Sequence, residues 1–87
     1  MLLHGIRRLR LDEQSRTAAQ LIGEHVRSRR IEGGLSGEAV ARVLGCDLAH
    51  LEAAERGKVN FTPEQVFELC TILRVTPSWF FDVLRTV

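Results

Sequence analysis

Residues 34–58 read GLSGEAVARVLGCDLAHLEAAERGK, and this stretch decides the fold. Ser36 is placed to cap a helix start, because its hydroxyl can accept a hydrogen bond from an otherwise unpaired backbone N–H. Val40, Ala41 and Leu44 then recur at helical spacing and give that helix an inward face. Gly45 ends it, since glycine reaches the left-handed conformation that closes a helix with little steric cost. Asp47 caps a second helix, Leu51 and Ala54 face its interior side, and Gly57 stops it. The stretch therefore predicts two short helices joined by a tight glycine turn.

Working outward, the flanks are helical too. From about Thr17, the apolar residues Leu21, Ile22 and Val26 follow a helical period until Gly33-Gly34 interrupts it. Thr62-Pro63-Glu64-Gln65 is a capping box with proline at the first helical position, and it opens a helix carrying Val66, Leu69, Cys70 and Leu73. Thr76-Pro77 repeats the device ahead of Trp79, Phe80 and Val83. Neither period-two alternation nor an Asn-Gly turn occurs, so strands are not expected. The fold class is all-α, a compact bundle of about five short helices. Ile22, Val26, Leu35, Val40, Leu44, Leu51, Val66, Leu69, Leu73 and Phe80 are expected to form one apolar cluster, with Trp79 a core residue.

Composition bounds the function. Eighty-seven residues make one small domain, too short for a two-lobed enzyme around a cleft. Twelve Lys and Arg against eleven Asp and Glu leave a net charge of +1, less than a domain gripping nucleic acid by charge alone usually carries. The surplus is uneven: residues 1–32 hold seven arginines and four acids, while 33–61 hold three bases and four acids. We divide the chain into a basic and apolar N-terminal extension, 1–16, and a helical domain, 17–87, with its central two-helix unit at about 36–56. Cys46 and Cys70 have no framework spacing, and His4, His25 and His50 are scattered, so no metal or disulfide is expected. No apolar run is long enough to span a membrane, and the first residues lack a signal-peptide core, so a cytoplasmic location is expected. There is no glycine-rich phosphate loop, nucleophile elbow or plausible triad, and neither an enzyme nor a cofactor or small-molecule ligand is expected.

The central spacing is that of a helix-turn-helix, whose first helix braces the second for the DNA major groove. Over about Ile22 to Asp82 the chain resembles the phage repressor and Cro (XRE-type) helix-turn-helix family. The resemblance is carried by Ile22-Gly23-Glu24, Val26-Arg27 and Arg30, by Gly34-Leu35-Ser36, by Ala41, Leu44 and Gly45, by Glu55-Arg56-Gly57-Lys58, and by Trp79-Phe80-Phe81. It implies a lambda-repressor-like DNA-binding domain of a bacterial or phage regulator, a structural ion pair between Arg30 and Glu55, and a dimer formed through the C-terminal region.

The departures from that family matter. Where relatives commonly place Gln at the second position of helix two, this chain has Gly37. The reading face of the recognition helix is Leu48, Ala49, His50, Glu52 and Ala53, which lacks the Arg, Lys, Asn or Gln that read purines directly. Apolar contact with thymine methyls, a hydrogen bond from His50, and Glu52 accepting from a cytosine amine are what this face can offer. Phosphate contacts are expected from Arg42, Arg56, Lys58 and Asn60. Arg7, Arg8 and Arg10 make the densest basic run, readable as an arm on DNA. The same stretch, with Leu2, Ile6 and Leu9 at helical spacing, also reads as an apolar stripe for a partner helix, or as a plain tail. Phe81 and Leu84 exceed what one core face requires and are expected at a subunit interface.

Two readings follow. The first is a sequence-specific DNA-binding transcriptional regulator, a repressor bound to double-stranded DNA as a homodimer or with a related regulator. The second is an antitoxin-like or adaptor module that uses the same fold to bind protein, with little DNA binding of its own.

Overall fold

The computed structural model describes residues 16–85. The described residues form five helices and no strand: α1 (Ala18–Glu32), α2 (Gly37–Leu44), α3 (Leu48–Glu55), α4 (Pro63–Leu73) and α5 (Pro77–Arg85). The architecture is all-α, as the periodicity and caps require.

Each of the first four helices starts where a short polar side chain can satisfy an exposed amide. Thr17 and Thr62 form reciprocal capping boxes with Gln20 and Gln65. Ser36 Oγ accepts from Ala39 N at 3.0 Å, and Asp47 Oδ1 accepts from His50 N at 2.8 Å. Each such cap contributes about 1 kcal/mol. At α5, Thr76 Oγ1 instead meets Ser78 Oγ at 2.8 Å.

The same four helices end alike. A left-handed residue stands just past each: Gly34 (φ 70°), Gly45 (φ 72°), Gly57 (φ 79°) and Arg74 (φ 58°). The next residue then donates its N–H back over the last turn. These bonds run from Leu35 to Arg30 O, Cys46 to Ala41 O, Lys58 to Ala53 O, and Val75 to Cys70 O, all between 2.9 and 3.0 Å. This six-to-one closure satisfies carbonyls that the helix leaves free. Only Arg74 occupies the left-handed position with a side chain, a conformation costing about 1–2 kcal/mol for an L-residue.

The helices close on a core of Val26, Val40, Ala41, Leu44, Leu51, Leu69, Leu73 and Phe80. Ile22, Leu35 and Val66 are half-buried and pack onto this cluster from outside, Leu35 from the α1–α2 connection. Trp79 is half-buried too, edge-on to Phe80 at 5.0 Å between ring centroids and to His25 at 6.3 Å. α1 packs on α3 and α5, while α2 packs on α3 and α4. The α2–turn–α3 unit is thus held from behind by α1 and α4.

Candidate nucleic-acid interface

α3 is fixed at its end by charge. Arg30 Nε donates to Glu55 Oε2 at 2.8 Å and Arg30 Nη2 donates to Glu55 Oε1 at 3.1 Å, a two-pronged pair. The third nitrogen, Nη1, donates to Leu35 O at 3.1 Å, tying the α1–α2 connection into the same node. Glu55 is only 3% exposed, so its carboxylate relies on this one guanidinium. The hydrogen bonds to Glu55 hold Arg30 above its ordinary pKa, against the opposing effect of burial, with Glu52 and Glu38 adding to the field.

α1 and the end of α3 approach unusually closely. A Cβ built on Gly23 would lie 2.4 Å from Ala54 O and 2.5 Å from Glu55 O, so only glycine fits where the two backbones cross. A Cβ built on Gly57, which holds a left-handed φ, would likewise lie 2.5 Å from Gln20 Cα.

The expected base-reading residues divide by placement. Ala49, His50 and Glu52 are exposed, Ala53 is half-buried, and Leu48 is half-buried against the core. Leu48 turns towards α2: a Cβ on Gly37 would sit 2.6 Å from Leu48 Cδ1. The side chain missing at Gly37 is therefore replaced in space by a leucine methyl from α3. The two acids of this region differ. Asp47 caps α3, and Glu52 lines a cleft with Arg27, Arg30 and Arg56.

Of the expected phosphate contacts, Arg42 is exposed on α2, Arg56 caps the end of α3, and Lys58 and Asn60 are exposed in the connection to α4. Arg7, Arg8 and Arg10 lie outside the described residues. Arg27 was given no role by motif reasoning, yet it lines one cleft with Arg56 and Lys58 and an adjoining one with Arg56. The available signal was its place one turn beyond Gly23, the crossing point, on the same face of α1.

Residues 21–78 match the family model described as Helix-turn-helix domain. The chain belongs to that family. No curated protein matches it. Among solved structures it is similar to the crystal structure of the clp gene regulator ClgR from C. glutamicum, at 19% identity and a TM-score of 0.70, covering 78% of this chain and 88% of that one. At that identity the likeness establishes the fold.

The helix-turn-helix domain has a second surface. An apolar groove of about 390 Å³ runs between the start of α1, the α3–α4 connection, α4 and α5. Phe67 and Phe81, 67% and 69% exposed, stand on it beside Val59 and Leu84. Phe81 and Leu84 were expected at a subunit interface; Phe67 was not, because helical periodicity alone does not say which residues of α4 remain uncovered, nor was Val59, which lies in the α3–α4 connection. Cys46 and Cys70 are free and half-buried, and burial, with Asp47 beside it, pushes the Cys46 thiol up. Among the described residues no group of His, Cys, Asp and Glu could hold a metal, and no helix is long and apolar enough to cross a membrane.

Proposed function

We propose that this chain is a sequence-specific DNA-binding transcriptional regulator that acts as a repressor, as a dimer or together with a related regulator. The observation that carries the reading is the exposed face of α3, locked in orientation by the Arg30–Glu55 pair and flanked by Arg42, Arg56, Lys58 and Asn60. In the complex, α3 lies in the major groove. Ala49, Ala53 and the outer side of Leu48 meet thymine methyls, His50 hydrogen-bonds a base edge, and Glu52 accepts from a cytosine amine. The four flanking residues hold phosphates and set the register, which carries no sequence information by itself. A reading face without Arg, Lys, Asn or Gln gives each half-site modest affinity, and pairing two half-sites in one assembly raises it without any new contact.

The second copy docks through the apolar groove. Phe67 and Phe81 are large rings left in water, and a two-fold arrangement lets each copy cover those of the other. Such symmetry matches two half-sites about one helical turn apart on the same duplex face. The similarity in fold to a gene regulator, ClgR, is consistent with this use of the fold.

Purified protein titrated onto promoter fragments at several salt concentrations tests the reading. A regulator gives a footprint and an affinity that falls with salt at a log–log slope of several units. Absence of binding even at low salt favours the adaptor reading, for which the apolar groove is the supporting observation.

A further inference from the structure

We propose that Arg27, on α1 and outside the helix-turn-helix itself, grips the DNA backbone together with Arg56 and Lys58, forming a phosphate clamp between α1 and the exit of α3. The inference rests on the DNA-binding reading above and assigns that site a residue from another element.

The clamp is a product of backbone approach. Gly23 lets α1 lie against the carbonyls of Ala54 and Glu55 at a distance no side chain would permit. Arg27 is one turn further along the same face of α1 and so emerges beside the end of α3. Gly57 then turns the chain back against Gln20, returning Lys58 towards α1. Arg27, Arg56 and Lys58 consequently line one cleft, together with Gln20, Ser28 and the two acids Glu24 and Glu55.

The acids nearby are already committed. Glu24 is paired with Arg16 at 2.6 Å, and Glu55 with Arg30 at 2.8 Å. Glu52 is the remaining acid, on the adjoining cleft. The side chains of Arg27, Arg56 and Lys58 are exposed and make no ion pair or hydrogen bond with one another or with any acidic side chain among the described residues. Two guanidinium forks and an ammonium thus converge from two elements without an internal partner. A phosphodiester matches this set: guanidinium recognises its oxygens in pairs, and an ammonium adds a point charge. The clamp adjoins the end of the reading helix, where a strand of the duplex passes as it leaves the groove.

Equilibrium binding of the full chain to a mixed-sequence duplex of about 30 base pairs, followed from about 50 to 200 mM salt, tests the clamp without requiring the operator. Arg27→Ala should lower the log–log salt slope by about 0.9, so that its affinity deficit shrinks roughly threefold across that range. Arg27→Lys should keep the slope. The melting temperature of Arg27→Ala should be unchanged, because the side chain is exposed and unpaired. Arg85→Ala removes the same charge from the far end of α5 and should leave the slope alone. A wild-type slope in Arg27→Ala alongside a reduced slope in Arg56→Ala overturns the clamp and leaves the DNA-binding reading standing. An equal reduction in Arg85→Ala also overturns it, by showing an effect of net charge only. Wild-type protein without salt-dependent binding overturns the DNA-binding reading and the clamp together.

Discussion

Arg30 joins three parts of the chain through one planar group: its own helix, the end of α3 and the backbone of Leu35. Removing it strands a carboxylate that is nearly fully buried. Arg30→Ala is expected to destabilise the domain by about 1–3 kcal/mol. Thermal or urea unfolding measures this directly, and an unaltered midpoint would show that the pair is not structural. Arg74 presents the opposite situation, a side chain held where its three counterparts are all glycine. Arg74→Gly relieves the left-handed strain and increases the flexibility of the unfolded chain, so a net gain of roughly 0.5–1 kcal/mol is expected. A lower melting temperature for that variant would mean that the arginine side chain contributes more than its conformation costs.

At the scale of elements, starts and stops were legible in the sequence because they are local chemistry. Ser36, Asp47 and Thr62 cap within three residues of themselves, and a glycine past a helix closes it with its immediate neighbours. The left-handed Arg74 was not legible, since the signal sought was glycine. Nor were the crossing at Gly23 and the contact between Gly37 and Leu48, where the cause lies on a different helix. The family resemblance assigns Leu48 to the reading face, whereas its position at the start of α3 lets it fill the gap over α2, and these are two separate roles. Gly37→Ala separates them. The new methyl clashes only with the far end of Leu48, which can rotate away, and meets the Arg30 guanidinium at an ordinary contact distance; alanine also restricts the unfolded chain, so stability is expected to stay equal or rise by up to about 1 kcal/mol. What should change is the preference among DNA sequences, read by competition binding against a randomised pool. Unchanged preference would remove Leu48 from the reading surface.

For the molecule as a whole, the two surfaces sit on different sides of α1. Its Arg27 and Arg30 belong to the polar face beside α3, while Ala19 and Ile22 line the apolar groove. The net charge of +1 describes neither face: near the polar face, Asp47 caps α3, Glu24 and Glu55 pair with arginine, and Glu52 lies among arginines. Phe81→Glu places a charge in the groove without touching the core. It is expected to shift the protein to monomer in sedimentation experiments, with an unaltered helical spectrum and weaker binding to paired half-sites than to a single one. Persistence of the wild-type mass would place the subunit contact elsewhere.

The repeated way in which helices end has a dynamic counterpart. The amides of Leu35, Cys46, Lys58 and Val75 stand in connections, where exchange with solvent deuterium is ordinarily fast, yet each is bonded to a carbonyl of the preceding helix. None can be released without unwinding the final turn it closes. These four positions should therefore exchange on the timescale of the helices they terminate, while the amides of Val59 and Asn60, which lack such bonds, exchange early. The connections of this domain would then open only with its helices, and the separation between α2 and α3 would be as fixed as the helices themselves.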